Sequence, residues 1–565
     1  MFEKILIANR SEVAARVART CKRLGVTTVA VHTDADADAV HVQACDEAVR
    51  LPSTDLASSY LSVEAIVAAA RQCGADAVHP GYGLAVHHVA LARAVIAAGM
   101  TFIGPSPEAL ELAADRARVH ALCASVEVRA VAASTGPIET LRAAYEATEA
   151  LGYPVVVKPL IPRDAHGVRF ADDDDELDEA FEGARASGRD DAGPGRVFIE
   201  RAIERPRVVE IEVLADAGPP VPMSAPGAAS AAPSSSEAPT AADVDAASSV
   251  EAPDAVAAPS VDALEAVASS VEGADAVASS VEGPAAVASS PKASASKPEA
   301  REPEVAHDDA PVGISAAAET AARAAAERGA AEIVAIGDRE CSVQRKLRRI
   351  VSESPAAALN GLANGDFVRE ALNEAAVRLV RAARIVGSAT VRFLLDADGR
   401  YHAIGLSVGL SVDHALHEMC TGLDLVEMQI RIAAGEPMPA EVLAASPTGH
   451  AMEAHLVWDV PGAPPEGTLT ELRFPPVGAG KARIETGLAQ GSNVVPGYDA
   501  LVAKITAFGP TRHQAALSLD RVIAETVVAP FATNAPLVRR VLGHEAFRAG
   551  QYDATFVERM IQQRI

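Results

Sequence analysis

Two stretches of this chain carry residue types on which phosphate and metal chemistry turn. The apolar run Val155-Val156-Val157 ends in Lys158 and continues Pro159-Leu160-Ile161-Pro162-Arg163-Asp164-Ala165-His166-Gly167. A lysine there can meet a phosphate, and glycines after it would let backbone N–H groups cradle one. Instead Pro159 and Pro162 remove two donors and fix φ, Leu160 and Ile161 add bulk, and Asp164 brings negative charge. The second stretch runs from Val391-Arg392-Phe393 to Ile404-Gly405-Leu406-Ser407-Val408-Gly409. Magnesium takes oxygen ligands, commonly carboxylates. Arg392 can neutralise phosphate but cannot ligate a cation, and Gly405 and Ser407 supply no carboxylate. The six cysteines, at 21, 45, 73, 123, 341 and 420, show no CxxC spacing, so neither a zinc site nor a redox pair is supported.

The elements that would position these residues follow from periodicity. Residues 4–8 read as a strand, 11–24 as a helix, 27–32 as a strand, 62–73 as a helix and 75–79 as a strand. The turn Pro80-Gly81-Tyr82-Gly83, a helix near 86–98 and a strand at 101–103 follow. That alternation predicts an open parallel sheet over 1–110, with ligand crevices at the carboxyl ends of its strands. Strands at 153–158, 196–200 and 209–214, with an acidic helix near 173–186, predict a small α+β module. Further on, 359–385 reads as largely helical, and strands 389–395 and 400–406 flank Asp396-Ala397-Asp398-Gly399, a hairpin signal. A long helix is predicted over 413–434, strands and turns over 450–508, and helices over 511–525 and 534–562.

Residues 217–331 differ in kind: they lack Phe, Tyr and Trp, and Ser269-Ser270-Val271-Glu272 recurs as Ser279-Ser280-Val281-Glu282. So little apolar surface cannot offset chain entropy, which predicts disorder to about residue 310. The formal charge is −26. Such an excess argues against nucleic acid and anionic membranes as partners. No apolar run approaches the roughly 20 residues of a membrane span, and the start reads as a first strand rather than a signal peptide, so a cytoplasmic protein is expected.

Several motifs resemble the biotin carboxylase component of acyl-CoA and pyruvate carboxylases. They include Ile7-Ala8-Asn9-Arg10-Ser11-Glu12-Val13-Ala14, His79-Pro80-Gly81-Tyr82-Gly83, Glu204-Arg205-Pro206-Arg207-Val208-Val209-Glu210 and Arg339-Glu340-Cys341-Ser342-Val343-Gln344-Arg345. Tyr498-Asp499-Ala500-Leu501-Val502-Ala503-Lys504 and Thr533-Asn534 complete the order. The resemblance implies an N-terminal α/β domain over 1–113, an ATP-grasp α+β unit over 114–447 and a mixed C-terminal domain over 448–565. The insert 217–331 would then leave from a β-hairpin turn of the ATP-grasp unit, where extra chain is tolerated.

In that family ATP and bicarbonate yield carboxyphosphate, whose CO2 passes to the ureido nitrogen of biotin. The resemblance puts Asp413 at the place of a base glutamate, Arg349 at that of a lysine beside bicarbonate, and Arg483 at that of an arginine facing biotin. It makes Arg116, Lys158, Glu200 and Arg201 the nucleotide candidates. It also puts the family's two metal carboxylates at Arg392 and Gly405. On those replacements the sequence predicts a non-catalytic, biotin-carboxylase-like subunit with a structural or regulatory role, needing no cofactor and no metal. Magnesium is not expected, while weak ATP binding is left open. Expected partners are acyl-CoA carboxylase subunits (a biotin carboxylase, a biotin carrier or a carboxyltransferase), with a homo- or heterodimer as the family assembly. The alternatives are an active ATP-dependent biotin carboxylase and an ATP-grasp protein of another role.

Overall fold

The alternation of strands and helices builds the N-terminal part as read, with Glu47–Arg50 as a further strand that the periodicity did not predict. Strands Lys4–Ile7, Thr27–His32, Glu47–Arg50, Ala77–His79 and Thr101–Phe102 pair in parallel, with Lys4–Ile7 at the centre between Thr27–His32 and Ala77–His79. The strand order reverses there, which opens a crevice beyond the carboxyl ends of those two strands. Asn9 closes it, donating through Nδ2 to the carbonyls of Pro80 at 2.8 Å and Tyr82 at 2.9 Å. Gly81 has to be glycine: its φ is +67°, and a Cβ would stand 2.3 Å from Val13 Cγ1. The computed structural model behind this description covers residues 1–83, 89–161, 167–190, 193–218, 331–458, 466–478, 480–494 and 501–563. The expected disordered insert and the proline-stiffened turn at Pro162 to His166 lie outside the described residues.

Two antiparallel sheets follow. In the smaller, Val155–Pro159 runs between Val197–Arg201 and Arg169–Ala171, over a core that includes Val155, Leu177, Phe181 and Ile199. The larger is ordered Tyr401–Val408, Gly387–Leu395, Arg207–Ala215, Ile333–Arg345, Arg348–Ser354, His450–Val457, Leu501–Gly509 and Ala482–Glu485. Its two faces separate by residue parity, as a pleat requires. Val209, Ile211 and Val213 join the core, to which Leu372, Ala375 and Leu379 of helix Gly365–Ala382 also belong. Glu210 and Glu212 face the other way. Segment 129–138 ties the sheets together: the Ala403 amide donates to Arg129 at 2.8 Å, and the Ser134 amide donates to Ile199 at 2.8 Å.

The hairpin predicted at Asp396-Ala397-Asp398-Gly399 forms, with Gly399 at φ +75°. The insert leaves and rejoins the large sheet at one place, since Ala215 is paired directly with Ile333. Asp216 clamps that base, accepting from the amides of Glu332 and Met438 at 2.8 Å each. The long helix predicted over 413–434 is instead two, His414–Thr421 and Leu425–Ala433, broken at Gly422 with φ +77° and restarted by the Asp424 cap. Likewise 534–562 divides into Ala535–Gly543, Glu545–Arg548 and Phe556–Gln562. No helix among the described residues is long and apolar enough to cross a membrane.

Candidate active site

Cross-strand register explains how so many charges are buried on one sheet face. Glu210 lies opposite Arg339 on one neighbouring strand and opposite Arg392 on the other, and Arg392 in turn lies opposite Gly405. Both arginines bind Glu210 at 2.7 Å, and Arg339 also holds Glu212 at 2.7 Å. Burial alone would raise the Glu210 carboxyl, but Arg349, Arg392 and Arg339 hold it well below the usual range. Such opposite-charge neighbours stabilise a sheet where a lone buried acid would not be tolerated.

Arg349 and Asp413, distant in sequence, meet here. Arg349 is hydrogen-bonded to both Glu210 and Asp413. Asp413 is fully buried, and its Oδ1, which accepts no hydrogen bond, faces His455 Nε2 at 3.0 Å. His455 also reaches Glu453 at 3.1 Å. The next residue, His414, opens the second charged group: its Nε2 lies 3.4 Å from Arg483, which is paired with Glu418 and Glu485. Lys504 joins the two groups, donating to the Val412 carbonyl at 2.8 Å and pairing with Glu485 at 2.8 Å, with its ammonium 4.8 Å from the Tyr82 ring centre. Burial pushes the His414 imidazole down to about 4, so it is neutral near pH 7.

The nucleotide candidates divide. Register and pleat turn Lys158 and Glu200 to the same face, where they form a buried ion pair. Arg116 joins them, donating from Nε to the Pro159 carbonyl at 3.0 Å. Burial lowers both Lys158 and Arg116 from their ordinary values, with Glu200 opposing. Arg201, one residue on and therefore on the other face, is exposed and caps the Leu151 carbonyl at 2.7 Å, away from this group.

Glu210, Arg339, Glu418, Glu453, His455 and Lys504 were missed as site residues. The available signal was acids at alternate positions in an apolar strand, Val-Glu-Ile-Glu-Val over 209–213, which places both carboxylates on one buried face. The described residues also bring together two sets of possible cation ligands within 4.8 Å: Glu210, Cys341 and Asp413, and Asp413, Glu453 and His455. The second set suits a hard divalent ion better, since it offers two carboxylates and no thiol, and Asp413 Oδ1 is an orphaned acceptor.

Two sheets joined around a charged cleft, attached to an α/β crevice domain, define an ATP-grasp protein. Family models agree along the chain: "Biotin carboxylase, N-terminal domain" matches 1–110, "Carbamoyl-phosphate synthase L chain, ATP binding domain" matches 115–221 and 327–441, and "Biotin carboxylase C-terminal domain" matches 460–559. The biotin carboxylase of Halalkalibacterium halodurans is 27% identical over 559 residues, spanning 99% of this chain and 97% of that protein. The human mitochondrial propionyl-CoA carboxylase alpha chain is 27% identical, over 98% of this chain and 61% of its own length. Two solved structures share the fold: the Campylobacter jejuni biotin carboxylase–β-γ-ATP complex (TM-score 0.74, 22% identity, 99% of each chain), and the biotin carboxylase domain of Hydrogenobacter thermophilus 2-oxoglutarate carboxylase with MgADP, ADP and bicarbonate (TM-score 0.75, 24% identity, 100% and 98%). The chain belongs to the biotin carboxylase family.

These findings correct three expectations. The non-catalytic subunit, and with it the inactive enzyme, is contradicted by full-length likeness to biotin carboxylases and by the ligand clusters at Asp413. The expectation that no metal or cofactor is needed, and that magnesium has no place, is contradicted by those clusters and by fold relatives captured with MgADP and with β-γ-ATP. The physical reason is one of reach. Two replaced positions were weighed singly, whereas Asp413, Glu453 and His455 come together only when the strand His450–Val457 packs beside the start of helix His414–Thr421.

Proposed function

We propose that this protein is an ATP-dependent biotin carboxylase, which uses ATP and bicarbonate to carboxylate biotin on a carrier. The observation that carries the reading is Arg349, held between Glu210 and Asp413 and linked through Lys504 to the group around Arg483. Arg349 offers a guanidinium to bicarbonate, and Asp413, beside it, can take the bicarbonate proton. A bicarbonate oxygen then bonds to the γ-phosphorus as ADP leaves. The resulting carboxyphosphate divides into CO2 and phosphate, and the ureido nitrogen of biotin bonds to the CO2 carbon. Arg483 supports negative charge on the ureido oxygen in that last step. Magnesium supplies charge neutralisation of the phosphates when bound, and Asp413, Glu453 and His455 are the residues that would hold it.

Likeness to propionyl-CoA and methylcrotonoyl-CoA carboxylase alpha chains supports work alongside other carboxylase subunits. The test is ATP hydrolysis that depends on bicarbonate, together with transfer of labelled bicarbonate carbon to free biotin or a biotinylated carrier. Label transfer above an enzyme-free blank is expected. Its absence with magnesium, ATP and carrier present would overturn the reading.

A further inference from the structure

We propose that Arg392 binds the nucleotide's polyphosphate directly, sharing with a divalent cation the work of neutralising it. The inference rests on the nucleotide reading above and adds a ligand to that site. Arg392 sits at the middle of Gly387–Leu395, with Glu210 across one flank and Gly405 across the other. One side of the guanidinium is committed, since Nε donates to Glu210 Oε1 at 2.7 Å. Among the described residues this side chain makes no other hydrogen bond, so four of its five N–H donors remain for a ligand.

The surroundings leave those donors accessible. The Arg392 side chain is 41% exposed although its anchor Glu210 is fully buried. Beside it, a Cβ built on Gly405 would meet nothing within 4 Å. A larger side chain at 405 would fill the space that a phosphate group needs next to the guanidinium. Segment 129–138 fixes the relation to the small sheet, because Ala130 bridges to Ala403 and Ala133 bridges to Glu200. Arg392 therefore shares its cleft with Lys158 and Arg116, and its charge acts on both. Among those three cations Arg392 is paired with Glu210 and Lys158 with Glu200, while Arg116 donates to a backbone carbonyl. An anchored guanidinium with free donors, open space and two further cations is a site for an anion with several oxygens.

The consequence is nucleotide binding that depends little on magnesium. Calorimetric titration with ADP and with ATP, each in excess EDTA and in excess magnesium, would be run on the full chain and on R392Q and R392K. The unaltered protein is expected to bind in EDTA within about tenfold of its affinity in magnesium. R392Q should weaken the EDTA titration at least tenfold and the magnesium titration much less, while R392K recovers part of the loss. Unchanged melting temperature and circular dichroism would exclude misfolding of R392Q, with R392K as the folded control. Equal affinity of folded R392Q and the unaltered protein in EDTA would overturn the inference and leave the carboxylase reading standing. So would binding by the unaltered protein only in magnesium. Failure to bind nucleotide under either condition would overturn both.

Discussion

Asp413 contacts arginine, histidine and a second arginine from three different strands: Arg349 directly, His455 at 3.0 Å and Arg339 at 3.9 Å. If it takes the bicarbonate proton, Asp413→Asn should lower the bicarbonate-dependent rate of ATP hydrolysis by at least about 100-fold. Nucleotide affinity measured in EDTA, where no metal ligation is involved, should change far less; a rate within threefold of the unaltered enzyme would remove Asp413 from that role. Arg339 makes a different claim, about stability. It is fully buried between Glu210 and Glu212, and among the described residues Glu212 has further partners only in Ser388 and Thr390. Arg339→Met should cost ~3–5 kcal/mol, because a buried carboxylate loses its counter-charge. Adding Glu212→Gln should restore part of that in urea unfolding followed by circular dichroism. A double variant no more stable than the single one would show that the lost charge pair is not the cause.

At the scale of elements, the contacts that decide the site are joints between helices and strands. Arg16, on helix Ser11–Leu24, pairs with Glu418 at 2.8 Å and Asp424 at 2.9 Å, pinning the N-terminal domain to the break between the two helices that follow Asp413. A Cβ on Gly487 would stand 1.9 Å from Ser11 Oγ, so the chain after Arg483 also lies against that helix start. Gly81 is the equivalent joint at the crevice. Gly81→Ala should destabilise by ~1–3 kcal/mol through its positive φ and the overlap with Val13, and Val13→Ala in the same background should recover the steric part. No gain from the second change, read by thermal melting, would assign the whole effect to the backbone. The strands and hairpins here were legible because alternation and Asp-Gly are local signals. The break at Gly422 was missed because the apolar pattern runs on through it, although Gly422 is a helix-stop residue and Asp424, which accepts from the Glu427 amide at 3.0 Å, is a cap residue.

For the whole molecule, buried histidines and carboxylates set the response to acid. Burial lowers His41 to about 4, His79 to about 3 and His414 to about 4. Unfolded, each takes a proton near pH 6.5, so between there and about pH 4 the unfolded chain binds more protons and stability falls as pH falls. Glu353 and Glu453 act lower: burial opposes their charge, but His450 and Arg512 for the first, and Lys504 and His455 for the second, hold each at about 2. Their stabilisation is full above the ordinary carboxylate range and is lost from about pH 4.5 towards pH 2. The urea midpoint should therefore decline already between pH 7 and pH 5, before carboxylates titrate. A flat midpoint over that interval would refute the histidine contribution.

The amino-acid order alone determined the parallel N-terminal sheet, the antiparallel sheets after it and the family, because these rest on periodicity, turn residues and motifs that neighbouring residues spell out. It also named Lys158, Glu200, Arg349, Asp413 and Arg483; the structure places Arg349, Asp413 and Arg483 in two linked charged groups and pairs Lys158 with Glu200 in a third. Tertiary structure alone decided that Arg201 turns away, that Glu210 stands between Arg339 and Arg392, and that Asp413 meets Glu453 and His455. Those outcomes depend on strand register and on which strands become neighbours across hundreds of residues. A charge read in sequence has no partner, and its chemistry is fixed only when folding supplies one.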